Sequence, residues 1–165
     1  MEAQAKSVGS REHPAGMRDV YERMLRAVGT RGRFVTLGTG KRVHVVEAGD
    51  GVPVVHLHGN NTSALSHLML LEHATAVRSY LVDRPGMGLS DRSAFPRGEF
   101  RDFAVRFVGD VLDALGLDNA VLVGASGGGV YATWYALEHP QRVRGLVMLG
   151  STPRCPAVTF PCRSD

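Results

Sequence analysis

The chain has 165 residues, 44% of them apolar and 21% charged, with a mean hydropathy of −0.06 and no unbroken apolar run longer than four residues. That excludes a transmembrane helix, and the aliphatic and glycine content excludes a disordered polymer, leaving one globular unit as the natural count. The net charge of +3 is local: residues 1–42 hold nine of the 19 Lys and Arg and four of the 16 Asp and Glu. The rest of the chain is nearly neutral, and no aromatic-interleaved basic patch or nucleic-acid module accompanies the basic stretch, so neither nucleic acid nor a membrane is an expected partner. The first 30 residues lack the apolar stretch and small-residue cleavage site of a secretory signal, which makes a cytoplasmic setting the expectation. Cys155 and Cys162 are too few, and too far from any histidine, to form a zinc site or disulfide framework.

Residues 1–16 mix Ser, Gly, Pro and charge without periodicity and read as a leader. Met17, Val20, Tyr21, Met24, Leu25 and Val28 then recur on one helical face that stops at Gly29, so residues 1–30 form a leader followed by an amphipathic helix. Phe34–Leu37, the Gly-Thr-Gly turn at 38–40 and the alternating Val43 and Val45 predict an antiparallel hairpin near a sheet edge. From there short apolar runs alternate with helical spacing: strand 52–57, helix 64–76, strand 80–83, helix 100–115, strand 120–123, helix 128–138 and strand 143–149. Such alternation predicts a mostly parallel sheet covered by helices on both faces, with its core within residues 31–150. The tail 151–165, with Pro153, Pro156 and Pro161, reads as irregular.

Three segments at the carboxyl ends of predicted strands carry the chemistry. Gly124-Ala125-Ser126-Gly127-Gly128 fits the G-x-S-x-G nucleophile elbow, where a serine sits on a sharp strand-to-helix turn. The pentapeptide alone is weak in a chain with 20 glycines, but the strand before it and the helix after it stand in the required order. Two other readings remain: a serine that merely caps the following helix, and a phosphate-binding loop at a helix amino terminus, which lacks the P-loop lysine. His58-Gly59-Asn60-Asn61 follows the strand 52–57, and Asp83-Arg84-Pro85-Gly86-Met87-Gly88-Leu89-Ser90-Asp91 follows the strand at 80–83.

In this order the three segments resemble the α/β-hydrolase superfamily over residues 33–150, with its H-G-x and D-x-P-G-x-G-x-S motifs. The resemblance implies Ser126 as nucleophile and the backbone N–H groups of Asn60 and Gly127 as the oxyanion hole. It implies an acyl substrate, an ester, lactone or thioester, because the haloalkane dehalogenases and epoxide hydrolases of this architecture carry Asp in the elbow. Asp83 and Arg84 are read as tying their loop to neighbouring backbone, and the side chains of His58 and Asn60 as stabilising a tight turn.

The family order is Ser, then acid, then His, and the later two have no counterpart. His139 is the only histidine after Ser126, and thirteen residues along a helix place it about 20 Å away. No carboxylate stands between Val143 and Arg163. His56 and His58 share a strand face and offer at most an improvised base, or a metal pair without a third ligand. No metal or cofactor is expected. The expectation is therefore an α/β-hydrolase-like fold truncated after its sixth strand and inactive alone. Its parent would be a serine hydrolase; alternatively, the chain is a non-enzymatic, partner-dependent binding protein. The sixth strand would be an unpaired apolar edge open to self-association.

Overall fold

Alternation of side chains along each strand divides the apolar residues of this chain between two faces of one sheet. The structure is a computed structural model and describes residues 16–93 and 98–151. The helix α1 (Met17–Ala27) is followed by β1 (Arg31–Thr36), β2 (Arg42–Gly49) and β3 (Val52–Leu57). A 3-10 segment (Ala64–His73) leads to β4 (Val77–Val82), α2 (Phe100–Ala114), β5 (Ala120–Ala125), α3 (Gly127–Glu138) and β6 (Val143–Leu149). The strand order is β1-β2-β4-β3-β5-β6. The β1–β2 and β2–β4 pairs are antiparallel; the β3–β4, β3–β5 and β5–β6 pairs are parallel.

Val45, Val55, Leu57, Tyr80, Val82 and Leu122 face α2 and α3, where Val108, Val111, Leu112 and Tyr131 meet them. Val46 and Leu81, one residue out of phase, face Tyr21 and Leu25 of α1 and Ala64 and Leu68 of the 3-10 segment. Helical layers on both faces follow from the two-sided burial of parallel strands. The hairpin turn closes as predicted, with Leu37 N–H on Lys41 O at 2.8 Å. Among the described residues no helix is long and apolar enough to cross a membrane.

One predicted element has a different form. The segment 64–76, expected as an α-helix, is a 3-10 helix over Ala64–His73. Its buried side chains are Ala64, His67 and Leu68, while Met69 is 79% exposed. Its first amide is claimed from outside: Ala64 N–H donates to Asp83 Oδ1 at 2.7 Å. The sequence assignments for residues 1–15 and 152–165 lie outside the described residues.

Asp83 joins elements that are far apart in sequence. Its carboxylate, with no solvent exposure, accepts from Tyr21 OH at 2.7 Å, His44 Nδ1 at 2.9 Å and Leu89 N–H at 3.1 Å, besides Ala64. Burial foremost, then the adjacent carboxylate, pushes the Tyr21 phenol well above its usual range, so it remains a donor. Replacing Asp83 by Ala strands four buried donors and should cost about 3–5 kcal/mol in urea unfolding, against about 1–2 kcal/mol for Tyr21→Phe. Equal costs would show that the carboxylate does not hold the other three donors.

Candidate active site

β5 and α3 meet at Ser126 with no intervening residue, and the backbone pays for the abruptness in conformation. Ser126 has φ 47° and ψ −117°, a left-handed geometry that costs a non-glycine residue on the order of 1–3 kcal/mol. Its N–H donates to Leu149 O at 3.0 Å, and its carbonyl accepts from Gly129 N–H at 3.0 Å and Ser151 Oγ at 2.7 Å. These bonds hold the turn through β6 and the residues after it. The Ser126 side chain is exposed and makes no capping bond to α3, so the helix-cap reading of this serine fails. Among the described residues no side chain hydrogen-bonds its Oγ.

Small residues bring the elbow against the loop after β3. A Cβ on Gly128 would overlap the carbonyl oxygens of Leu57 and His58, and one on Gly124 would overlap the Gly129 backbone. A Cβ on Gly127 would strike the Asn60 side-chain amide, while one on Gly59 would lie 3.4 Å from Ser126 Cβ. Residues 59–60 and 126–127, the members of each contacting pair 67 positions apart in the chain, are thus in contact. Ser126, Asn60 and Gly127 are brought together.

Among the neighbouring histidines only His58 has both ring nitrogens bonded; Nδ1 of His56 and of His67 is buried without an acceptor or donor among the described residues. Arg84 N–H donates to His58 Nε2 at 3.0 Å, which leaves the ring proton on Nδ1, donating to Gly59 O at 2.8 Å. His58 has no exposure, and burial pushes it down to about 4. A neutral imidazole with both nitrogens committed to backbone is a loop fastener. His56 makes its bond to Ser79 Oγ at 3.3 Å and stacks edge-on with His67, ring centroids 5.6 Å apart; it does not pair with His58. Burial, then the His67 charge, pushes His56 down to about 4, and burial lowers His67. His139 lies at the end of α3 with its ring 4.8 Å from that of Tyr135.

Sequence reasoning placed Arg84 on backbone, and its side chain goes elsewhere. The guanidinium, 2% exposed, donates through Nη2 to Asn60 Oδ1 at 2.8 Å and lies 5.0 Å over the Tyr131 ring. Burial lowers its pKa. Among the described residues it forms no ion pair with a carboxylate, and Nε has no acceptor. A buried cation therefore stands behind Asn60, a feature invisible to a motif that records only the adjacent Asp83. His44, which the sequence did not single out, lies in a plain alternating strand and shows its importance only through the carboxylate it meets.

Residues 52–161 match the model of the family described as alpha/beta hydrolase fold, and the chain belongs to that family. It is 36% identical over 129 residues to the 2-hydroxymuconate semialdehyde hydrolase of Pseudomonas sp. (strain CF600), covering 76% of this chain and 44% of that protein. It is 37% identical over 125 residues to haloalkane dehalogenase 2 of Mycobacterium bovis, covering 74% and 43%. Among solved structures, an epoxide hydrolase from an endophytic Streptomyces superposes with a TM-score of 0.68 at 32% identity, covering 78% of this chain and 39% of the other. The chain spans less than half the length of these relatives, and the portion matched is the amino-terminal part of the fold.

Two measurements probe this geometry. Gly128→Ala should lower stability by about 2–3 kcal/mol in urea melts, since the obstacle is backbone oxygen and cannot rotate away. Second, the unfolded chain binds more protons than the folded one between pH 6.5, the ordinary histidine value, and pH 4. Stability conferred by the neutral His56 and His58 rings is complete above pH 6.5 and is lost as pH falls toward 4, on the order of 3 kcal/mol for His56, and the lowered His67 acts in the same direction. His56→Leu should flatten the pH dependence of the unfolding midpoint; an unchanged slope would contradict the neutral buried ring.

Proposed function

We propose that this chain carries the nucleophile and oxyanion site of a serine hydrolase that cleaves a small acyl compound through a Ser126 acyl-enzyme. The observation that carries the reading is the strained, exposed serine held against the loop 58–60. A tetrahedral intermediate formed at Ser126 needs donors fixed in advance, and the N–H groups of Gly127 and Asn60 are assigned that role. Losing one such donor typically costs about 10²–10³ in rate. Serine in the elbow favours acyl transfer over the dehalogenation and epoxide opening for which two of the relatives are named. The 2-hydroxymuconate semialdehyde hydrolase among the relatives favours an oxygen-rich organic substrate.

Ser126 also needs a base, and a third group to orient it. In this reading both come from outside the described residues, since both nitrogens of His58 are bonded to backbone, and the buried His56 packs against Ser79 and His67 and is a weak base. A fluorophosphonate should label Ser126 once a histidine and a carboxylate are supplied, by a longer chain or on a separate polypeptide, and Ser126→Ala should abolish labelling. Turnover by the present chain alone, lost in Ser126→Ala, would overturn the external base. Absence of labelling in the completed enzyme would overturn the nucleophile.

A second reading rests on β6. Among the described residues its one neighbour in the sheet is β5, and Leu146, Val147 and Leu149 are 38%, 44% and 39% exposed. Such an edge accepts a further strand, here from a second copy of the chain. Val147→Lys should then shift the sedimentation profile toward monomer; an unchanged distribution would remove the strand-addition reading.

A further inference from the structure

A cavity of about 500 Å³ opens beneath α1, on the face of the sheet opposite α2 and α3. None of its lining residues belongs to the elbow or to the loop 58–60. Its inner wall is the His44 ring, edge-on to Tyr21 at 5.1 Å and Phe34 at 5.3 Å between ring centroids. The Nδ1 of that ring is committed to Asp83, while Nε2 is turned toward Gly32, where a Cβ would overlap it. Gly32 also lines the cavity, and its lack of a side chain makes room for the His44 ring, which borders the space with its side chain 5% exposed. Leu25 and Leu89 continue the apolar wall with Tyr21 and Phe34.

The rim has the opposite character. Arg18 and Arg26 of α1 and Arg31 of β1 stand around the opening with one carboxylate, Glu22. None of the three arginines forms an ion pair among the described residues, although Arg33, one position beyond the lining, is paired with Glu47. Three cations against one anion, beside an apolar wall of Tyr21, Leu25, Phe34 and Leu89 in a cavity of ordinary ligand size, fit a ligand with a negative head and an apolar body. Inorganic phosphate would use the rim and leave the walls unfilled.

We propose that this cavity binds a small amphipathic carboxylate, its head on the arginine rim and its hydrocarbon against Tyr21, Leu25 and Phe34, with His44 Nε2 as the polar group of the inner wall. This site is distinct from the acyl-transfer site and does not depend on it. Occupancy adds contacts to α1 and to the His44–Asp83 pair, so the ligand stabilises the fold as well as filling the space.

The test is titration of octanoate into the ¹⁵N-labelled full chain. Saturable shifts at the Tyr21, Gly32 and His44 amides, with a rise in Tm, are the expected result. Arg26→Ala or Arg31→Ala should each weaken octanoate about two- to fivefold, the effect of one exposed ion pair, without changing the Tm of the free protein. The double variant should lose roughly the product of the two factors. Octanol binding as tightly as octanoate, or inorganic phosphate doing so, would overturn the amphipathic-acid assignment. Absence of saturable shifts at these three residues would overturn the site itself. Ser126→Ala should leave every one of these readings unchanged, which separates this site from the proposed hydrolytic one.

Discussion

A carboxylate without solvent contact is tolerable only if donors surround it, and Asp83 has four, drawn from four separate parts of the chain. Its position at the carboxyl end of β4 makes it the point where α1, β2, the 3-10 segment and the loop 83–91 converge. Ser90 continues the arrangement, donating from Oγ to Asp83 O at 2.7 Å and accepting from His44 N–H at 2.9 Å. The loop is closed again by Asp91, which takes Arg42 N–H on its carboxylate at 2.9 Å and donates its own N–H to Arg42 O at 3.0 Å. Burial of the anion thus converts a stretch of glycine and proline into a rigid wall.

That wall determines what lies next to the elbow. With the loop held by Asp83, the following residue presents its N–H to His58 and its guanidinium to Asn60. The His58 tautomer, the path of residues 58–60 and the position of Asn60 over Gly127 form one connected set of hydrogen bonds and contacts. An elbow serine supported in this way can hold left-handed geometry, because β6, Ser151 and the loop after β3 fasten both sides of the turn. In the proposed hydrolytic reading, the buried Arg84 cation behind Asn60 adds positive potential on the side of the assigned oxyanion donors, and low local dielectric makes such a charge felt.

The family to which the chain belongs was legible from three motifs because each carries a backbone requirement that few residue types satisfy. Ser126 and its flanking glycines, the His58-Gly59 pair and the Asp83–Asp91 loop all sit where parallel strands end, which is where open α/β sheets build their sites. The segment 64–76 reads as helix from its apolar spacing, but that spacing carries no mark separating α from 3-10, and the hydrogen bond from its first amide to Asp83 is a tertiary contact. The destination of the Arg84 side chain escaped for the same kind of reason. A long flexible side chain reaches partners that sequence spacing does not specify, here an amide 24 positions earlier.

Local chemistry in the sequence determined the order of strands and helices, the ends of β3 and β6 to the residue, and the sharp turn at Ser126, since apolar periodicity and glycine placement act within a few residues. Tertiary structure alone decided that Tyr21 and His44 would share the Asp83 carboxylate with the amides of Ala64 and Leu89, that both nitrogens of His58 would be occupied, and that Arg84 would donate to Asn60 without a carboxylate partner among the described residues. Those outcomes depend on which surfaces meet when strands distant in sequence become neighbours in the sheet, and burial then selects the hydrogen-bond partners that no local pattern encodes.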